Sequence, residues 1–276
     1  MNRPDPDMKI SIGTLSKAFD LSDEALRFYE KKGLIHPERK GDSGYRIFER
    51  TDIQRIANIK RLKNLGFALD EIHSVYSCMS EEKLHALLSA KILESQREML
   101  RHAHLIDHAQ HALNTLDEAP GQLEMPCLMN MDVAYVLEYD SIQAMWQQLP
   151  HDSTLKALFQ ELPLSTFTTL INRGVLTGDP CRVRKGILVF ERDADVLDID
   201  RSMFRRIDAR RAVGCLFRLT DGKFILSDLL GRLAQFLTAN RLTAADDLFT
   251  AQLLSFVDDQ EHAIHYARML VPLAPA

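Results

Sequence analysis

Between Ser22 and Phe48 the chain reads SDEALRFYEKKGLIHPERKGDSGYRIF. Arg27, Arg39, Lys40 and Arg46 are residue types that neutralise phosphate oxygens, and the flat rings of Phe28, Tyr29 and Tyr45 lie among them. Arg27 suits either a phosphate or a guanine edge. Lys60, Arg61 and Lys63 form a second basic cluster, whose phosphate contacts would make binding weaken with salt. Each has an ordinary alternative. Loop charges are usually solvated, and one of Phe28 and Tyr29 must pack inward. A different chemistry is offered by His102, His104, His108 and His111. The pairs 104/108 and 108/111 have the i,i+4 and i,i+3 spacing that clasps a metal on one helix face, but the only nearby acid, Asp107, points to another side.

The elements that must hold these residues follow from local rules. Ile10, Ile12, Leu15, Ala18, Phe19 and Leu21 form an apolar stripe at helical spacing, which predicts a first helix. Ser22 is a good N-cap, Asp23 and Glu24 suit a helix start, and Gly33 stops the second helix, on which Leu26 and Tyr29 share the apolar spacing. A charged loop with Gly41, Asp42 and Gly44 precedes Tyr45–Phe48, read as a strand. A basic helix followed by a basic hairpin is the layout of a winged helix-turn-helix. Two more helices follow, one from Thr51 to Leu65 and one from Leu69 to Tyr76.

Residues 1–8 show no pattern and read as a disordered lead. From Ser80 to Glu118 there is neither Gly nor Pro, and Leu88, Ile92, Ser95, Met99, His102, Ile106, Ala109, Leu113 and Leu116 follow alternating gaps of four and three. Such a seam on a helix of about 55 Å needs a partner, which predicts a coiled-coil homodimer and a palindromic DNA site. Pro120-Gly121 is expected to end the helix. Beyond Pro126 the reading is a strand (Leu128–Tyr139), a helix interrupted at Pro150 (Ile142–Leu162) and two strands (Thr166–Thr177, Val183–Arg192). A bent strand pair (Phe204–Thr220), a helix (Phe224–Asn240) and strands Leu248–Val257 and His262–Pro272 repeat that order without repeating its residues.

With 276 residues, 46% hydrophobic and 26% charged, the chain suits two globular domains and a connector. Its net charge of −5 argues against a non-specific nucleic-acid coat. Lys9–Lys63, however, holds 13 Lys and Arg against 8 Asp and Glu, a local +5 that leaves −10 for the rest. Cys78, Cys127, Cys181 and Cys215 form no close pair, and neither a signal peptide nor a membrane-length apolar run is present, so a reducing cytoplasm and no membrane partner are expected.

LRFYEKKGLI, GYRIF and GFALDEI together resemble the DNA-binding domain of MerR-type transcription regulators. FRRIDARRAVGCLFRL, FILSDLLGRLAQFLTANRL and YARMLVPL resemble the gyrase-inhibitor-like effector domain of that family's multidrug-sensing branch. The resemblance implies an α+β multidomain chain. A winged helix-turn-helix would occupy residues 9–78, an antiparallel dimerisation helix 80–119 and a duplicated βαββ ligand-binding domain 125–276. Its DNA-contacting candidates are Ser22, Arg27, Phe28, Tyr29, Arg39, Lys40, Tyr45, Arg46, Lys60, Arg61 and Lys63, with Tyr29 preferred over Phe28 as nearer the DNA. It further implies an activator that distorts promoter DNA for RNA polymerase when a small molecule binds.

Aromatic residues available to a ligand cleft are Tyr135, Tyr139, Trp146, Phe167, Phe190, Phe217, Phe249, Phe256 and Tyr266, most of them expected in the core. The resemblance places a cation-binding acid in the penultimate strand, where this chain has Thr250. Either Glu138 or Glu191, both read as strand residues, replaces it, or the ligand is neutral or anionic. Arg205, Arg206, Arg210, Arg211, Arg182, Arg184 and Lys185 would serve an anion, although a solvated face explains them as well. The alternative function is a metal- or redox-responsive regulator using Cys127 or His104, His108 and His111. No nucleophile elbow or metal motif suggests an enzyme, and no cofactor is expected.

Overall fold

Two serines set the start of the chain. Ser11, in β1 (Ile10–Ser11), accepts a hydrogen bond from the Thr14 N–H and caps α1 (Ile12–Phe19). Ser22 accepts from the Ala25 N–H at 3.0 Å and caps α2 (Asp23–Lys31), whose first turn carries Asp23 and Glu24. Gly33, at φ 69°, takes the left-handed conformation that lets the Leu34 N–H reach the Tyr29 carbonyl and close α2. The first helix therefore begins later than its apolar stripe. Ile10 and Ser11 pair instead with the second strand of the hairpin formed by β2 (Glu38–Lys40) and β3 (Tyr45–Phe48).

The computed structural model describes residues 10–40, 45–208, 211–222 and 226–274. The lead at 1–8, the hairpin residues Gly41, Asp42 and Gly44, Arg210, and the side chains of Lys40 and Cys78 lie outside that description. Buried Asp52 starts α3 (Arg50–Asn64), accepting from the backbone N–H of His36 at 2.9 Å and of Glu49 at 3.3 Å. With α4 (Leu69–Cys78), these elements bury Leu15, Leu26, Tyr29, Phe48, Ile56 and Phe67 around one core. Burial of each such side chain stabilises by about 1.5–3 kcal/mol.

The chain divides into two units, Met1–Arg97 and Glu98–Ala276, with the division inside α5 (Glu81–Gln122). This helix continues through Pro120 instead of stopping there. A proline so near the end removes only one late hydrogen bond. Buried Ala119 packs with Leu216, Ile264 and Tyr266, and the Glu124 N–H donates to the Leu216 carbonyl at 2.7 Å, fixing the end of the helix on the second unit's sheet. Among the described residues no helix is long and apolar enough to cross a membrane.

The second unit runs β4 (Cys127–Asn130), β5 (Ala134–Tyr139), α6 (Ile142–Gln148), α7 (Ser153–Gln160), β6 (Ser165–Ile171), β7 (Val183–Phe190), α8 (Glu191–Leu197) and β8 (Arg205–Ile207). It continues with β9 (Arg211–Thr220), α9 (Leu226–Ala239), β10 (Leu248–Val257) and β11 (Ala263–Pro272). The eight strands form one antiparallel sheet in the order β4-β9-β11-β10-β6-β7-β5-β8. Outward from the central β10–β6 pair, the order is β6-β7-β5 on one side and β10-β11-β9 on the other. Helices α6 and α7 cover β5 and β7 through Met145, Leu155 and Leu158, while α9 covers β9 and β11 through Leu229, Leu233 and Leu237.

Several predicted elements divide. Leu128–Tyr139 is two strands, β4 on β9 and β5 between β7 and β8. Ile142–Leu162 becomes two helices because Asp152 caps a new one, accepting from the Leu155 N–H at 2.9 Å. β6 stops at Ile171, and Arg173–Thr177 is a 3-10 turn. Glu191 is not a strand residue; it opens α8.

Candidate nucleic-acid interface and ligand cavity

On α2 the two adjacent aromatics separate. Tyr29 is 6% exposed in the core, where burial raises the pKa of its hydroxyl, while Phe28 is 42% exposed with the Lys32 ammonium 5.8 Å from its ring centre. Arg27 is exposed beside Phe28 and has no ion pair among the described residues. Glu30 turns the other way and ties the hairpin to the helix. Arg39 Nη2 on β2 donates to Glu30 Oε1 at 2.9 Å, and Arg46 Nε on β3 donates to Oε2 at 2.6 Å. Burial alone would raise the Glu30 pKa, but the two arginines more than offset it and hold the carboxyl below its ordinary value. Tyr45, opposite Lys40 in the hairpin, is exposed. One surface therefore combines a helix bearing a free guanidinium and an exposed ring with a hairpin whose orientation is fixed by charge.

In the second unit a cavity of about 400 Å³ opens where the two halves of the sheet meet. β6 and β10 pair only at Ile171–Leu248 and Leu170–Phe249. Beyond that point Thr250 Oγ1 accepts from the Thr169 N–H at 2.9 Å, a side chain standing in for the next ladder bond. Phe167, Phe217, Met145 and Met269 line the apolar walls, and Lys185, Thr169, Thr250 and His265 supply polar atoms. Lys185 Nζ donates to Thr169 Oγ1 at 2.8 Å, and burial lowers the pKa of its ammonium. Next to it, Gly186 is required by the sheet, since a Cβ there would lie 2.4 Å from the Leu137 carbonyl oxygen.

Residues 10–77 match the family model described as MerR HTH family regulatory protein. The HTH-type transcriptional regulator CueR of Escherichia coli O157:H7 is 26% identical over 120 residues, 43% of this chain and 89% of that protein. The mercuric resistance operon regulatory protein of Bacillus cereus is 33% identical over 76 residues, 28% of this chain and 58% of that protein. Residues 10–77 are a MerR-type helix-turn-helix domain. A solved structure of an EcmrR–DNA complex covers 97% of this chain and 100% of its own at 16% identity and TM-score 0.37, and nothing about the cavity follows from so loose a likeness.

Within the MerR-type domain, the sequence candidates are sorted by what holds them. Arg27, Phe28, Tyr45, Arg61 and Lys63 are exposed. Arg39 and Arg46 reach the surface but are paired with Glu30. Ser22 Oγ is occupied by its cap. Two preferences need correction. The Tyr29 ring faces the core because it shares the helical spacing of Leu26, so the outward aromatic is Phe28. The Lys60 ammonium donates to the Phe19 carbonyl at the end of α1, a bond that holds α3 to α1. Sequence reasoning missed Glu30, whose opposite charge amid a basic stretch was the available signal.

Of the proposed ligand aromatics, Phe167 and Phe217 line the 400 Å³ cavity. Tyr135 is buried and donates to Glu191 at 2.6 Å. Tyr139 donates to Asp152 at 3.4 Å, and burial, then the Asp152 charge, pushes its pKa up to about 12. Trp146 is exposed on α6 against Phe159. Phe190 lies under the Arg192 guanidinium. Phe249 is wholly buried in the core of the opposite face, and Tyr266 packs with Ala119 and stacks on Phe256, because alternation turns these residues away from the cavity. The acids proposed as cation partners are also engaged elsewhere. Glu138 pairs with Arg184 and with Arg205 at 2.7 Å. Lys185, which the sequence offered to an anion among cations read more readily as a solvated face, is half-buried at the cavity. It is in strand phase with buried Ile187 and Val189, which was the readable signal.

The histidines are divided as well. His104 Nδ1 and His108 Nε2 meet the fully buried Asp193 carboxylate at 2.8 and 3.2 Å, whereas His111 bonds the Asp107 carbonyl on the exposed side. Among the described residues no group of three or more His, Cys, Asp or Glu is placed to hold a metal ion. Cys127 is exposed at the edge strand β4.

Proposed function

We propose that this chain is a ligand-responsive transcription regulator that binds a palindromic promoter as a homodimer. Its MerR-type domain would occupy residues 9–78, with an antiparallel dimerisation coiled coil at 80–119 and a duplicated βαββ ligand-binding domain at 125–276. The observation that carries the reading is the surface made by α2 and the hairpin, where Arg27 and Phe28 stand free and Glu30 sets the angle of Arg39 and Arg46. α2 enters the major groove, and the hairpin, Arg61 and Lys63 follow the backbone. The mirrored strand order about β6 and β10 supports the duplicated domain.

The 400 Å³ cavity is the effector site, of a size and character for a flat hydrophobic molecule. Binding there favours a distorted promoter that RNA polymerase can open, with the effector and DNA sites coupled through α5. The protein acts in the cytoplasm and is not an enzyme. The metal or redox alternative gains no support, since His104 and His108 are engaged by Asp193 and no group of three or more His, Cys, Asp or Glu among the described residues is placed to hold a metal. Fluorescence anisotropy with labelled DNA from upstream of the protein's own coding sequence tests the reading. Specific binding with a two-fold footprint is expected, and affinity equal to that for random DNA would sink it.

A further inference from the structure

Three arginines on the second unit's strands are matched by acids. Arg184 pairs with Glu138 and, at 2.5 Å, with Asp247; Arg205 pairs with Glu138 and Asp246; Arg206 pairs with Asp208 at 3.2 Å. Lys185, like Arg211, Arg218 and Arg268, has no such match among the described residues, but of these four it is the one that lines the cavity. Its only hydrogen bond goes to the neutral hydroxyl of Thr169, and it has no carboxylate partner among the described residues. It is half-buried and faces the 400 Å³ cavity, whose described lining contains no Asp or Glu. His265 is the other titratable group there, with Nδ1 engaged by Ser255 at 2.7 Å.

An ammonium drawn out of water without a counter-ion is costly, and an apolar enclosure strengthens any charge that reaches it. Burial already lowers the Lys185 pKa. Of its three N–H bonds, Thr169 takes one, leaving donors for a ligand oxygen. Thr250 Oγ1 accepts from the Thr169 N–H, so its own hydroxyl hydrogen is available to the same oxygen. Phe167 and Phe217 provide flat walls on either side of the meeting halves.

We propose that this cavity selects a flat apolar molecule carrying one carboxylate-like group, with Lys185 Nζ as its counter-ion and the Thr250 hydroxyl as a second donor. The proposal rests on reading the cavity as the effector site. It predicts selectivity opposite to that of a cation-binding sensor.

Isothermal titration of the full-length protein with 2-naphthoate, 2-naphthylmethanol and 2-naphthylmethylammonium tests it. Naphthoate should bind about tenfold or more tightly than the alcohol, as expected for a partly buried charge-assisted hydrogen bond, and the ammonium should bind weakest. Lys185→Met should erase the preference for naphthoate, and Lys185→Arg should keep it. Equal binding of the alcohol or the ammonium, no binding of any probe, or an intact preference in Lys185→Met would overturn the proposal. If Lys185→Met does not fold by circular dichroism, the ranking of the three probes on the wild-type protein decides. Anisotropy with promoter DNA, run in parallel, separates the two readings. Naphthoate selectivity without promoter binding removes the regulator and leaves the anion site, and the reverse result removes the anion site alone.

Discussion

Asp193 is a costly side chain to disturb. Its carboxylate is fully buried, and burial alone would raise its pKa; hydrogen bonds from His108 and His104, with the charges of His108 and Arg192, more than offset this and hold it below its ordinary 3.8. A carboxyl depressed in the folded state contributes stability that is present above its unfolded pKa and is lost as pH falls through the folded one. Urea midpoints should therefore drop as pH is taken below about 4, and Asp193→Asn should flatten that dependence while costing roughly 3 kcal/mol at pH 7. Equal acid sensitivity in the variant would exclude Asp193 as the source. None of this was legible in the sequence, because the partners are 85 and 89 residues away. Tyr29 teaches the converse. Its spacing with Leu26 already turned it inward, and only the resemblance argued for the outside. At the free guanidinium, Arg27→Ala should weaken promoter binding by about 1–3 kcal/mol with the melting temperature unchanged, read by anisotropy and thermal denaturation.

Among the elements, α5 was the most readable. Ile92, Met99 and Ile106 lie on the predicted seam and are 58%, 69% and 70% exposed in a single chain. Apolar side chains left outside at heptad spacing are the mark of a surface that a second helix covers. Ile106→Glu should shift sedimentation velocity from dimer to monomer and, by separating the two DNA-binding domains, abolish binding to a two-fold promoter. A variant that stays dimeric would remove the seam as the interface. The strands were legible as apolar runs, but their ends were not. β6 stops at Ile171 because Asn172 turns to bond the Arg182 N–H and Pro180 carbonyl, contacts that no local pattern announces. The helix read over Ile142–Leu162 missed Asp152 as a second cap, although Pro150 marked the break.

For the whole molecule, charge was the clearest guide. A segment of +5 on a chain of −5 implies that affinity for DNA comes from one small surface while the remainder repels it. Raising salt should therefore reduce promoter affinity with a log–log slope of roughly −0.9 per phosphate contacted, and Lys63→Ala should lessen that slope by about one without changing sequence preference. A slope indistinguishable from the wild type would place Lys63 away from the backbone. The sequence carried the mixed helix-and-sheet class and the N-terminal helix-turn-helix, because both depend on local spacing. It did not carry the cavity, which exists only where two distant strands part. On the floor of that cavity two neighbours have opposite freedoms. Gly186 admits no other residue, because any Cβ would strike the Leu137 carbonyl, while the half-buried Lys185 side chain lines the cavity and bonds Thr169. If the cavity is the effector site proposed above, one of these neighbouring positions is closed to substitution and the other open to it, so a single codon change at Lys185 could alter what the cavity accepts while the sheet beneath it stays as it is.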